Sequence, residues 1–83
     1  MAWLYILRSE STGRYYVGST NDLDRRLSEH HRAHSLATRG RGPWILVHQQ
    51  SFSTLIEARR RELEIKKWKS AKAISLLIEK RVG

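Results

Sequence analysis

The amino-acid sequence predicts an α+β fold, in which helices flank a small three-stranded antiparallel sheet in the order β-β-α-β-α-α. Segments 2–7, 14–19 and 44–50 are rich in the aliphatic and aromatic residues that favour strands. Apolar residues recur at helical spacing in three further segments, about 22–33, 54–69 and 71–81. A chain of 83 residues is expected to form one domain, spanning residues 1–83.

The first predicted strand, residues 2–7, is an uninterrupted apolar run. Such a run is typical of a central strand that is covered on both faces. Alternation places Tyr5 on the face opposite to Leu4 and Ile6. Residues 9–13 form a turn, in which Gly13 is available for positive φ. The second strand should therefore return antiparallel to the first.

That second strand, residues 14–19, carries Tyr16 and Gly18. If Tyr16 lies roughly opposite Tyr5, both phenols reach the same face of the sheet. Gly18 indicates either a bulge or the close approach of another group to the backbone. Asn21 is then placed to cap a helix.

The first helix is predicted over about residues 22–33. Leu23 and Leu27 give it an apolar edge, and Arg26 and His30, also four apart, share a face. A phenol at the end of a strand, followed by a guanidinium and an imidazole on the next helix, is an arrangement that could bind a phosphate. The alternatives are a surface pair of Arg26 with Asp22 and a surface position for His30.

The third strand is predicted over residues 44–50, with His48 on the face of Trp44 and Leu46. Thr54 and Glu57 form a capping-box pattern for a second helix that runs to about residue 69. A third helix, about residues 71–81, follows a cap at Ser70.

Glu62 is an acidic residue in the apolar stripe of the second helix, four residues after Ala58 and three before Ile65. A carboxylate in such a stripe needs a partner. The candidates are an ion pair with Lys66, a hydrogen bond to a core tyrosine, or a metal ion. Spacing alone does not choose among them.

The formal net charge is +8, and residues 35–83 carry eleven basic and four acidic groups of the total. A basic face of this kind points to a polyanion, usually nucleic acid. Arg39 and Arg41, in a glycine-containing loop, and Lys66 and Lys69, on the second helix, are the candidate backbone contacts. The chain has no cysteine and no apolar run near the length of a membrane span, so we expect a cytoplasmic location and no membrane partner.

These residues together resemble the GIY-YIG nuclease superfamily, and most closely its small stand-alone bacterial members, the URI-domain proteins. The resemblance runs from Trp3 to about Ala73 and rests on Leu4-Tyr5-Ile6, Tyr16-Val17-Gly18, Arg26-Leu27, Arg41-Gly42-Pro43-Trp44 and Ala58-Arg59-Arg60-Arg61-Glu62. The first motif is degenerate, because Trp3 and Leu4 stand where the family has Gly and Ile.

The resemblance implies a nuclease that hydrolyses phosphodiester bonds in DNA with Mg²⁺ or Mn²⁺ and no small-molecule cofactor. Tyr16 would activate or orient the attacking water with help from Tyr5, and Arg26 and His30 would stabilise the charge that develops on the phosphoryl oxygens. Glu62 would bind the metal. Because there is one such set of groups per chain, we expect a monomer that nicks one strand.

A rival reading is a non-catalytic nucleic-acid-binding module on the same scaffold. Trp3 in the first motif and the lack of a clear polar partner late in the chain leave room for it. A third reading is a protein-interaction domain that uses the basic face. The sequence leaves open the group that accepts the proton, and the choice between DNA and RNA.

Overall fold

The computed structural model describes residues 1–31 and 43–80. The predicted element order is confirmed: β1 (Ala2–Ser9), β2 (Tyr15–Thr20), α1 (Leu23–His31), β3 (Trp44–Phe52), α2 (Leu55–Trp68) and α3 (Ala71–Lys80). Arg39 and Arg41 lie outside the described residues.

β1 is the central strand of a three-stranded antiparallel sheet with the order β2-β1-β3. The turn that joins β1 to β2 uses Gly13 at φ 75, as its sequence predicts. Tyr5 pairs with Gly18 and Leu7 pairs with Tyr16. The two phenols therefore share a face, although Tyr16 lies diagonal to Tyr5 rather than opposite it.

A β-bulge in β3 changes the expected face of His48. Leu46 pairs with Leu7 and His48 pairs with Ile6, so Val47 is an extra residue between them. The expectation that His48 shares the face of Leu46 is therefore wrong. A bulge shifts the alternation of side chains by one residue, and its position is not visible in the strand pattern.

The sheet has an apolar core on each face, as the uninterrupted run in β1 predicts. One core combines strand residues with helices α2 and α3: Leu4, Ile6, Val17, Ile65, Ile74 and Leu77. The other combines strand residues with helix α1: Tyr5, Leu7, Tyr16, Leu23, Leu27 and Trp44. We refer below to the α2 face and the α1 face of the sheet.

Local caps fix where the helices begin. Asp22, not Asn21, caps α1, because its Oδ1 accepts from the backbone N–H of Arg25 at 3.2 Å. The predicted cap one residue earlier is therefore wrong; Asp and Asn cap equally well, so propensity does not separate them. The caps at Thr54 and Ser70 are confirmed.

The residue that follows helix α2 has unusual backbone geometry. Lys69 has φ 47 and ψ 34, a left-handed conformation in which glycine is the usual residue. Of the helices in residues 1–31 and 43–80, none combines the length and apolarity that crossing a membrane requires.

Candidate active site

The centre of the α1 face is a hydrogen bond between two buried side chains. The Tyr5 hydroxyl lies 3.0 Å from Nε2 of His30. Tyr5 is 1% exposed and His30 is 2% exposed. The surface position considered for His30 is therefore wrong, because α1 turns this histidine onto the sheet.

Gly18 provides the space for the Tyr5 ring. A Cβ atom at Gly18 would lie 2.5 Å from the Tyr5 hydroxyl oxygen and 2.6 Å from Cζ. Of the two sequence interpretations of this glycine, the close approach of another group is confirmed, and the β1–β2 register runs past it without a bulge. The ring can cross β2 toward the sheet edge only because this position has no side chain.

Tyr16 completes an aromatic cluster with these groups. Its ring centroid lies 6.3 Å from that of Tyr5 and 4.9 Å from that of His30, the latter in an edge contact. The ring centroid of Trp44 lies 6.4 Å from that of Tyr16, also in an edge contact. Tyr16 is only half-buried, so it has access to solvent that Tyr5 lacks.

Arg26 adds a positive charge to the cluster. Its guanidinium forms an ion pair with Glu29 at 3.0 Å and lies close enough to the Tyr5 phenol to lower the pKa of that group. The expected alternative partner, Asp22, is not the one it has; Glu29 is three residues further along the helix and is equally placed for a pair. Arg25 is the more exposed neighbour, with 66% of its side chain accessible.

The environment of Tyr5 keeps its phenol protonated. Burial raises the pKa of Tyr5 above its ordinary value, and the hydrogen bond from Arg26 partly opposes this. The same bond raises the pKa of Arg26. Tyr5 is thus a neutral hydrogen-bonding group with a fixed cation beside it.

Glu62 lies on the α2 face, between buried Ala58 and buried Ile65 as the helical spacing predicts. Its Oε1 accepts a hydrogen bond from Oγ of Ser19 at 2.5 Å. Its Oε2 accepts from Nζ of Lys66 at 2.5 Å. The ion pair that the sequence offered as one explanation of Glu62 is present, together with a second partner that the sequence did not indicate.

The site residues of the α1 face and those of the α2 face meet at the edge of the sheet that β2 forms. Tyr5 pairs with Gly18 on the α1 face, and Ser19, the next residue, directs its hydroxyl to Glu62 on the α2 face. The carboxylate is near enough that its charge contributes to the raised pKa of Tyr5. Five predicted site residues are thus brought to one edge: Tyr5, Tyr16, Arg26, His30 and Glu62.

Lys66 lies next to this group through its bond to Glu62, with half of its side chain exposed. Lys69 is exposed and directly follows α2.

The donor set is sparse but suits a hard divalent cation. In the part of the chain that the structure describes, no three His, Cys, Asp or Glu side chains lie together as a metal cluster. Glu62, 18% exposed, supplies one carboxylate, and Ser19 places a second oxygen beside it. Mg²⁺ commonly takes one or two carboxylates and completes its shell with water and phosphate oxygens. These two residues fit such an ion.

Three contributors at the site were missed from sequence. Ser19 holds Glu62, Glu29 holds Arg26, and Trp44 packs on Tyr16. Ser19 had a detectable signal, because alternation places the residue after Gly18 on the opposite face. The contacts of Glu29 and Trp44 were not predictable, because the sequence spacing allowed several equally good partners for Arg26 and Tyr16.

This fold and site define a class. The family model of the GIY-YIG catalytic domain matches residues 1–75, and the chain belongs to that family. Similar proteins carry the name UPF0213. One, from Halobacterium salinarum, is 40% identical over 77 residues, which is 92% of this chain and 99% of that protein. Another, from Clostridium perfringens, is 35% identical over 83 residues, covering 99% and 88% of the two chains.

A solved structure is also similar. The solution NMR structure of a UPF0213 protein from Bacillus halodurans superposes with a TM-score of 0.60 at 37% identity, covering 95% of this chain and 84% of that one. The names of these relatives state no activity.

Proposed function

We propose that this protein is a metal-dependent endonuclease that hydrolyses phosphodiester bonds in DNA, acting in the cytoplasm as a monomer that nicks one strand, in repair or recombination. One observation supports it above the others: the Tyr5–His30–Arg26 cluster and the Glu62 carboxylate converge on one edge of the sheet. Membership of the GIY-YIG family supports the same reaction class.

Tyr16 is the better placed of the two phenols to meet an attacking water. It is half-buried, whereas Tyr5 is almost fully enclosed. The raised pKa of Tyr5 makes that phenol a poor base, so in this proposal it holds His30 and Arg26 in position. Tyr16 then orients the water in line with the scissile bond.

Arg26 and His30 supply the groups that meet charge on the phosphoryl oxygens. A guanidinium can donate two hydrogen bonds to a phosphate, and Glu29 holds the guanidinium of Arg26 here through an ion pair. Glu62 and Ser19 would hold Mg²⁺ or Mn²⁺, which when bound supplies charge neutralisation at the leaving oxygen. In this proposal, the nucleic-acid backbone is bound by four basic residues: Lys66, Lys69, Arg39 and Arg41.

The test is Glu62→Gln, which keeps the size of the side chain and removes its charge. We expect cleavage to fall by about a hundredfold or more, equivalent to about 2.7 kcal/mol of transition-state stabilisation. Glu64→Gln is the matched control, because Glu64 lies on the same helix, is 61% exposed and pairs with Arg61. Substrates are nicked, flapped, forked and single-stranded DNA, with Mg²⁺ and then Mn²⁺.

Melting temperature and DNA affinity are measured on the same samples, so that activity is compared per folded molecule. Lost cleavage with intact binding in Glu62→Gln, and full cleavage in Glu64→Gln, supports the nuclease. Full cleavage by folded Glu62→Gln would eliminate the metal role of this residue.

One observation favours a second candidate, a nucleic-acid-binding module without catalysis. Both carboxylate oxygens of Glu62 already have protein partners, Ser19 and Lys66. A carboxylate satisfied in this way can be purely structural. Absence of cleavage by the wild type with either metal on every substrate, with DNA binding retained, would favour this candidate.

A further inference from the structure

The two side chains of the Lys66–Glu62 ion pair are not held equally firmly. Glu62 is held on its other oxygen by Ser19 and is 18% exposed, whereas the side chain of Lys66 is 50% exposed. The two residues are one helical turn apart on α2. The carboxylate is thus fixed, and the ammonium is the member of the pair that can leave into solvent.

A divalent ion and the Lys66 ammonium compete for the same carboxylate. Oε2 accepts from Nζ, so an ion bound to Glu62 would face a positive charge at hydrogen-bond distance from its ligand. Repulsion between cations at such a distance remains significant even at a partly exposed site. Metal binding therefore requires Lys66 to move.

We propose that Lys66 covers Glu62 until a phosphodiester draws its ammonium away, so that metal binding and nucleic-acid binding are coupled through this one side chain. The inference rests on the proposed function, because it assumes a metal at Glu62 and a phosphate beside it. A phosphate oxygen gives the ammonium a new partner, and the freed carboxylate accepts the metal. By linkage, metal must then raise nucleic-acid affinity by the same factor by which nucleic acid raises metal affinity.

The test measures Mn²⁺ binding to the protein alone, by calorimetry and by the electron paramagnetic resonance signal of free Mn²⁺. Lys66→Met removes the charge and keeps an unbranched side chain, and we expect Mn²⁺ to bind about fivefold more tightly or better. Lys67→Met is the matched control: it loses the same charge from the neighbouring exposed position, and its affinity should stay within about twofold of wild type. Lys66→Arg keeps the cation and should stay close to wild type.

The second readout is coupling. A duplex with phosphorothioate linkages, which resist cleavage, is titrated into each protein with and without Mn²⁺. In the wild type each ligand should strengthen the binding of the other, and in Lys66→Met this mutual effect should shrink. Melting temperatures confirm that the variants are folded.

The outcomes separate this proposal from the proposed function. If Glu62→Gln abolishes Mn²⁺ binding but Lys66→Met binds Mn²⁺ no better than wild type, the Lys66 proposal is wrong and the metal site stands. If Lys67→Met gains as much as Lys66→Met, general charge is the cause and the proposal is wrong. If no variant binds Mn²⁺ with or without the duplex, both proposals fail.

Discussion

Replacing Gly18 with alanine tests how the site is built. The added methyl carbon would lie 2.6 Å from Cζ and 3.0 Å from Cε1 of Tyr5. Carbon atoms in contact normally lie about 3.5–4.0 Å apart, so the ring must shift by about 1 Å. Because the Tyr5 ring is buried and contacts both His30 and Tyr16, such a shift must disturb these neighbours.

The magnitude follows from two effects. Overpacking a core typically costs about 1–3 kcal/mol, and losing the hydrogen bond between Tyr5 and His30 costs about 1 kcal/mol more. We therefore expect Gly18→Ala to lower the free energy of unfolding by about 2–4 kcal/mol. In a domain of this size, that corresponds to a fall of about 8–32 °C in melting temperature.

Gly13→Ala is an informative control measured in the same way. Gly13 has φ 75, but a Cβ there would meet nothing nearer than an Arg8 side-chain atom at 3.8 Å. Its cost is backbone strain alone, about 1 kcal/mol, or about 4–8 °C. A Gly18→Ala protein that melts within about 3 °C of wild type would refute the steric argument, as would a larger loss at Gly13 than at Gly18.

Two further predictions concern Tyr5 and Lys69. Because folding raises the pKa of Tyr5, the contribution of this phenol to stability is complete below the ordinary phenol pKa and is lost as the pH rises through the folded value. Tyr5→Phe should therefore reduce the loss of stability at alkaline pH, measured by denaturant unfolding at pH 8–12. An unchanged dependence of stability on pH would contradict the raised pKa. Lys69→Gly should raise the free energy of unfolding by about 0.5–1 kcal/mol, because glycine suits the left-handed geometry. If Lys69 contacts a phosphate, the same change should also reduce the slope of log K for DNA binding against log salt concentration by about 0.7–0.9. An unchanged slope would remove Lys69 from the interface.

The fold was predictable because the apolar patterns of the individual strands and helices agree with the way in which these elements pack together. The uninterrupted apolar run in β1 indicates a central strand, and the helical spacing around Glu62 correctly places a carboxylate among buried residues. What failed depends on geometry that the pattern does not encode. The bulge at Val47 and the diagonal position of Tyr16 are set by how β1 pairs with its two neighbours.

The site was predictable in its residue types and less so in its contacts. That Arg26 and His30 share a helix face follows from spacing, and the structure brings both to Tyr5. The bond from Ser19 to Glu62 joins residues that are 43 positions apart, and only the packing of α2 against β2 creates it. Periodicity identifies the side of an element that is buried; it does not identify the partner that this side meets.

The site lies across the β2 edge of the sheet, so its residues belong to two separately packed layers. Tyr5 and His30 depend on the docking of α1, whereas Glu62 depends on the docking of α2. Separation of either helix from the sheet would therefore part the Glu62 carboxylate from the Tyr5–His30 pair. The proposed site is therefore complete only when both helices are packed on the sheet.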